Sequence, residues 1–247
     1  MESLVSIITP SYNCQDFISE TISSVLSQTY KNWEMIIVDD CSSDQSVQTI
    51  NTFIQSDSRI KLIFNDINEG AAVSRNKAID QARGKYIAFL DSDDLWRQDK
   101  LEKQIQYMEE NDIALSYTSY ELINETGKRL NKIIIPSEKL AYKDILKENQ
   151  IACLTAIYNC HIIGKVHMPL IRKRQDYGLW LSILKKIPSA YRAPGVSALY
   201  RVRSNSISSN KINLLKYNFK LFNEYEELSK LNSLKYVVWN IYRRLKK

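Results

Sequence analysis

The chain has 247 residues, 44 % of them hydrophobic and 25 % charged, with a formal net charge of +6. These proportions fit a folded chain able to bury a sizeable core as one large domain or a domain with an appendage, and they exclude disorder as the default. No apolar run approaches the roughly 18 residues of a membrane span, no signal peptide is expected from the opening residues, and four cysteines without CxxC spacing argue against a zinc or redox pair and for a reducing, cytoplasmic setting.

Residues 4–9 are a short apolar run, read as a strand, that stops at Pro10. Helical spacing follows through Phe17, Ile18, Ile22, Val25 and Leu26, with Asp16 as the expected cap. A second strand over 33–38 ends at Asp39-Asp40, and Ser43 and Asp44 are placed to cap a helix running to about residue 54. Residues 60–64 give a third strand. Gly70 opens a helix to residue 82 that Gly84 closes, and 86–90 form a fourth strand. This β-α-β-α-β-α-β order predicts an α/β fold, a Rossmann-like, mainly parallel sheet flanked by helices.

The second half is less regular. Residues 97–110 read as a helix, 113–123 and 129–135 as strands joined by a turn, 175–186 as a helix, and 190–192 and 196–202 as strands. Two helices are expected in the tail. The expected organisation is one α/β domain over 1–205, its two halves divided at residue 110, and a basic helical tail over 206–247. Residues 211–247 hold nine basic and three acidic residues, so this segment carries the whole net charge and the remainder is neutral.

Ligands of parallel sheets gather beyond the carboxyl ends of the strands. Three strands deliver polar residues there: Tyr12 and Asn13, Asp39 and Asp40, and Asp91 and Asp93. The strand over 86–90 runs straight into Asp91, Asp93 and Asp94. So much negative charge on one turn calls for a cation, and oxygen-only ligands suit magnesium or manganese, which commonly also holds substrate phosphates.

The segments Val5-Ser6-Ile7-Ile8-Thr9-Pro10-Ser11-Tyr12-Asn13, Ile37-Val38-Asp39-Asp40-Cys41-Ser42-Ser43-Asp44, residues 70–76, and Phe89-Leu90-Asp91-Ser92-Asp93-Asp94 together resemble glycosyltransferase family 2. The resemblance is close over residues 4–110 and looser over 170–205. It implies a GT-A fold and a metal-dependent, inverting transfer from a nucleotide-sugar donor, UDP-linked on this reading. Thr9, Pro10, Tyr12 and Asn13 would then line the base, with Tyr12 stacking, and Asp40 would meet the uracil edge with Asp39 beside it. Asp91, Ser92 and Asp93 match the DxD element, Asp93 ligating the metal and Asp91 holding ribose or sharing the ion. Arg75 or Asn76 would reach the donor, the other satisfying local backbone.

An inverting transfer also needs a base for the acceptor hydroxyl. Asp176 matches the family's base position, and Trp180, one turn later, is placed to stack on an acceptor sugar. Gln175 stands where relatives commonly carry an acid. Arg203 stands where many carry a histidine near the metal. It cannot ligate an ion but can clamp a diphosphate, so Arg203→Ala is expected to weaken nucleotide binding in a titration; unchanged affinity would refute the role.

Other readings stand beside these. Asp91-Ser92-Asp93 could cap the following helix, Asp39 and Asp40 could form turns, Asp176 could be an N-cap, and Trp180 could be core. Asp94 reads as a cap for the helix after it. The tail mixes cations with aromatics, as a helix lying on an anionic leaflet would, or as a helix pair packing on the body or another subunit would. The first of these would place the protein peripherally on the inner face of the plasma membrane, with a glycan or lipid-linked saccharide acceptor for capsule, lipopolysaccharide or teichoic-acid-like polysaccharide. A sugar nucleotidyltransferase is the alternative class, although residues 9–13 lack its glycine-rich basic loop. A nucleic-acid binder rests on the tail alone, and no nucleic-acid partner is expected.

Overall fold

The computed structural model describes residues 2–203 and 211–245. The first half is the expected alternation: β1 (Val5–Ser11), α1 (Ile18–Leu26), β2 (Trp33–Asp39), α2 (Ser46–Ser56), β3 (Ile60–Phe64), α3 (Ala71–Gln81) and β4 (Tyr86–Phe89). These four strands are parallel, in the order β3-β2-β1-β4. The order reverses between β1 and β4, where α/β sheets open a crevice for ligands.

Alternate residues of each strand serve opposite faces of the sheet. Ile8, Ile36, Val38, Ile87 and Phe89 enter one core, while Val5, Ile7, Met35, Ile37 and Ala88 enter the other. Burial on both faces explains why β2 reads as a continuous apolar run rather than an alternation.

The remainder comprises β5 (Leu95–Trp96), α4 (Lys100–Glu110), β6 (Leu115–Ile123), β7 (Arg129–Ile134), β8 (Lys139–Leu140), α5 (Tyr142–Lys147), a 3-10 turn (Cys153–Thr155), β9 (Ile157–Asn159), α6 (Cys160–Ile163), α7 (Gln175–Leu184), β10 (Ala190–Arg201), α8 (Lys211–Lys220), a π turn (Leu221–Tyr225) and α9 (Lys230–Leu245). The sheet continues from β4 through antiparallel β9 to β6, then β10, which runs parallel to β6, and finally β5. The two strands expected over 190–192 and 196–202 are one strand, bulged between Arg192 and Ala198. The expected boundary between residues 205 and 206 lies outside the described residues. The tail shares the body's core: Leu221, Phe222 and Val237 pack with Tyr177 and Trp180, and Glu226 is salt-bridged to Lys185 at 2.8 Å.

Three local expectations change. Asp16 does not cap α1, which starts from Phe17 without a side-chain cap. Gly84 does not end α3: it lies where β4 meets β1, and a Cβ there would fall 2.7 Å from the Ser6 nitrogen. The helix expected from residue 97 begins at Lys100, because residues 95–96 are drawn off to pair with β10.

Lys100 is fully buried and has no carboxylate partner among the described residues. Its Nζ donates to Gln104 Oε1 at 2.6 Å and to the Thr155 carbonyl at 3.4 Å, 4.6 Å above the Trp96 ring. Burial lowers its pKa to about 7. The unfolded chain therefore binds this proton more tightly, and the cost to stability is full below about pH 7 and fades as pH rises toward the ordinary lysine value near 10.4. Lys100→Met should stabilise the fold by about 2–4 kcal/mol at pH 7.5, with a gain that shrinks by pH 10 in denaturant titrations.

Candidate active site

At the first corner of the crevice, the carboxylates after β2 face inward. Asp39 accepts from Ser11 Oγ (3.1 Å) and from the amide and hydroxyl of Ser42 (2.8 and 2.6 Å). Asp40, only 3 % exposed, accepts from Asn65 Nδ2 and the amides of Glu69 and Gly70, each at 2.8 Å. It thus fixes the turn that starts α3, where negative charge also suits the helix N-terminus. Both carboxylates, expected at the uracil edge, are thus oriented by hydrogen bonds within their own loops. Thr9 is fully buried in β1, and its hydroxyl has no hydrogen-bond partner among the described residues.

Tyr12 does present its ring, at 53 % exposure. Asn13 takes a left-handed conformation (φ 44°) and accepts from the Ser43 amide at 2.9 Å, which locks the two loops together. Pro10 is part-buried at the end of β1, and Cys14 is buried behind the loop.

The acidic turn follows β4. The Asp94 amide closes it on the Asp91 carbonyl at 3.1 Å, and Thr21 Oγ1 donates to the carbonyls of Ser92 and Asp94 at 3.0 Å each. Arg201, from the end of β10, binds the turn from the other side: its amide donates to Asp94 Oδ1 (2.8 Å), its Nε to the Asp93 carbonyl (2.7 Å), and its Nη2 pairs with Glu20 (2.6 Å). Asp94 is therefore not a helix cap, since α4 starts at Lys100 with Asp99 before it. Burial, then the charges of Asp93 and Asp91, push the Asp94 carboxyl well above the usual range. The role of Arg201 was not legible in the sequence, because these partners lie 107 to 181 positions away.

With their backbone fixed, Asp91 and Asp93 aim part-exposed carboxylates into the crevice, each facing a guanidinium. Arg75 Nη2 lies 2.5 Å from Asp91, and Arg203 Nη1 lies 3.1 Å from Asp93 while stacking over Phe17 at 4.7 Å. Burial and the charge of Asp91 raise the Asp93 pKa, and Arg203 opposes the rise. Burial works against the charge of Arg75, but Asp91 overcomes it and holds the guanidinium protonated above its ordinary range. A strained pair of hard oxygen donors fits a divalent cation. Among the described residues no cluster of three or more His, Cys, Asp or Glu side chains is set to hold one.

Arg75 also reaches the acceptor half, donating from Nη1 to Gln175 Oε1 at 2.8 Å. Gln175 opens α7 after Arg174, which takes a left-handed conformation (φ 71°). Asp176 follows in the first turn. It is not the N-cap; its Oδ2 accepts from Asn149 Nδ2 at 3.2 Å, a partner the sequence reading missed. Burial raises its pKa, Arg174 and Arg75 opposing and Asp91 adding to the rise. Gly178 lets this helix approach the loop before it, since a Cβ would lie 2.4 Å from Pro169 Cγ.

Trp180 is a correction. It is fully buried, edge-on to Phe89 with ring centroids 5.7 Å apart, and donates its Nε1–H to the Ile151 carbonyl at 3.1 Å. The spacing from Asp176 does place both on one helix face, but by the second turn that face has passed beneath β4. No ring face is left for a sugar. Trp180→Ala should cost about 3–5 kcal/mol in denaturant unfolding, the size of a deleted core aromatic, rather than act selectively on acceptor KM.

A parallel nucleotide-type half with an acidic turn at its switch point, joined to a mixed half that brings a part-buried acid alongside, has the GT-A glycosyltransferase fold. Solved structures agree. S. aureus TarS 1-349 in complex with UDP-GlcNAc superimposes with a TM-score of 0.75 at 18 % identity, covering 96 % of this chain and 70 % of that one. The mannosyltransferase PcManGT from Pyrobaculum calidifontis, in complex with GDP-Man and Mn2+, gives 0.72 at 16 %, with the same coverage of 96 % and 70 %.

Residues 6–165 match the family described as Glycosyl transferase family 2, and the chain belongs to that family and is a glycosyltransferase. This sets aside the nucleotidyltransferase alternative. It is 48 % identical over 225 residues to the putative teichuronic acid biosynthesis glycosyltransferase TuaG of Bacillus subtilis, covering 91 % of this chain and 89 % of the relative. It is 44 % identical over 225 residues to WfgD of Escherichia coli, a UDP-Glc:alpha-D-GlcNAc-diphosphoundecaprenol beta-1,3-glucosyltransferase, covering 91 % and 87 %.

Proposed function

We propose that the protein transfers a sugar from a UDP-linked donor, with inversion and with a divalent metal, to a saccharide on a lipid diphosphate during cell-surface polysaccharide synthesis. The observation that carries this reading is the bridge made by Arg75, which binds Asp91 at 2.5 Å and Gln175 at 2.8 Å and so sets the acidic turn beside the helix head bearing Asp176. Donor and base thus meet in one crevice. The near full-length likeness to TuaG and WfgD supports the acceptor class and pathway.

Asp93 and Asp91 would hold magnesium or manganese, which when bound neutralises charge on the leaving nucleoside diphosphate. Tyr12 offers a stacking face to the base, with Pro10 and Asn13 shaping that wall. Ser92 spaces the two acids. Arg203, freed from Asp93, clamps diphosphate oxygens, and Arg75 keeps Asp91 oriented. Asp176, its pKa raised toward the working range, takes the proton from the acceptor hydroxyl. Residues 1–205 make up the catalytic unit and 206–247 an appendage docked on it.

The test incubates the protein and manganese with UDP-, GDP- and CDP-sugars and follows nucleoside diphosphate release, with and without a saccharide-diphosphate-lipid acceptor. Release from a UDP-sugar, accelerated by the acceptor, is expected. Turnover of only GDP- or CDP-sugars refutes the donor, and turnover unaffected by metal chelation refutes the metal.

A further inference from the structure

The last helix, α9, has a buried side and, opposite it, an exposed apolar one. Its inner side is docked: Ser233, Val237 and Asn240 are buried, Asn240 Nδ2 donates to the Leu146 carbonyl at 3.1 Å, and Tyr236 lies 5.9 Å from Phe222, ring to ring. On the far side, Leu234, Val238, Leu231 and Tyr242 fall within an arc of about 80° at helical spacing. All four are exposed, Leu231 by 81 %, and Trp239 extends the strip beside Tyr242 with ring centroids 5.8 Å apart. Helix packing accounts for one apolar face; the opposite face of a solvated helix is ordinarily polar.

The charge of this helix is as one-sided as its exposure. Residues 230–247 contain no acid. Lys235 sits within the strip, and Lys230 and Arg243 lie exposed along its two edges. Lys246 and Lys247 lie outside the described residues. Of the acids just before the helix, Glu226 is turned inward, bonded to Lys185 at 2.8 Å and to the Tyr142 hydroxyl, Glu224 pairs with Lys220 at 3.6 Å, and Glu227 is exposed ahead of the helix. A second exposed apolar pair, Leu170 and Tyr225, joined by a 3.2 Å hydrogen bond, links the loop entering α7 with the turn before α9.

We infer that the outer side of α9 docks on the anionic surface of a lipid bilayer, the helix lying in the plane of the interface with Leu231, Leu234, Val238, Trp239 and Tyr242 among the headgroups and its cations on lipid phosphates. Charge selects lipid over a second copy of the chain: a self-contact would set Lys230, Lys235 and Arg243 against their copies, with no acid on the helix to pair them. The helix lies on the bilayer rather than through it. It has 16 residues, and among the described residues no helix is long and apolar enough to cross a membrane. Docking there would present the crevice to a lipid-borne acceptor, a consequence that rests on the proposed function; the docking itself does not.

The test floats the full chain with vesicles of equal parts phosphatidylglycerol and phosphatidylethanolamine, and with phosphatidylcholine vesicles. Wild type should float with the first and not the second, and be released by high salt. Leu231→Ser combined with Val238→Ser, and separately Lys235→Glu combined with Arg243→Glu, should each reduce flotation at least roughly tenfold. Wild-type melting temperature would show that the fold is kept, and the charge variant, confined to exposed residues, decides if the apolar one unfolds. Equal binding to both vesicle types, no wild-type flotation, or variants that float like wild type would overturn the inference. So would a concentration-dependent dimer, seen by light scattering, that the substitutions abolish. Donor turnover in vesicle-free solution reads the proposed function separately.

Discussion

Asp176→Asn should reduce sugar transfer by about 10²–10⁴-fold in kcat while leaving nucleotide affinity unchanged, the loss characteristic of a missing general base. The amide keeps the shape and an acceptor oxygen for Asn149, now 3.2 Å away, but cannot take a proton. The sign of the stability effect separates this loss from unfolding. Burial raises the Asp176 pKa, so the native state holds this proton more tightly than the unfolded chain. Stability from this group is therefore present at low pH and lost as pH rises through the raised folded value. At neutral pH the ionised carboxylate is a cost that asparagine lacks, and the variant should melt no lower than wild type. The pH–rate profile of wild type should rise with the deprotonation of this group, on a limb displaced upward from ordinary aspartate. A variant that keeps wild-type kcat would remove Asp176 from the chemistry.

Asp93→Asn should lower metal-dependent donor turnover by about 10²–10³-fold. Manganese binding, followed by electron paramagnetic resonance in the absence of donor, should weaken in parallel, which ties the loss to the ion rather than to the acceptor. The turn itself should survive. Its backbone is fixed by Thr21 and Arg201, neither of which contacts the Asp93 carboxylate, and Arg203 keeps its place over Phe17. Asp93 is also one of two neighbouring carboxylates with a raised pKa, so removing its charge relieves repulsion on Asp91 and Asp94. Unchanged manganese affinity would show that the ion is held elsewhere.

The corrections share one cause. Asp39 and Asp40 look like open acids in sequence because polar residues at strand ends face a crevice as a class, yet hydroxyls and amides of Ser11, Ser42, Asn65, Glu69 and Gly70 hold them in place. Trp180 has the right helical phase for a sugar platform, but phase fixes only direction around the helix, not what lies beyond it. Asp94 sits close to a helix start, but β5 intervenes and its carboxylate goes to Arg201.

The sequence by itself determined what depends on near neighbours: the alternating strands and helices of residues 4–90, the acidic turn at the end of β4, the departure at Arg203 and the basic, aromatic-rich last helix. Period, turn residues and charge density are local properties and survive without coordinates. Tertiary structure decided which of those groups remain available. Hydrogen-bond partners, burial and pKa shifts are set by residues tens of positions distant, through desolvation and contact that no local pattern encodes. It turned Asp39, Asp40, Asp94 and Trp180 inward, left Asp91, Asp93 and Asp176 facing one crevice, and gave α9 a buried side as well as an exposed one.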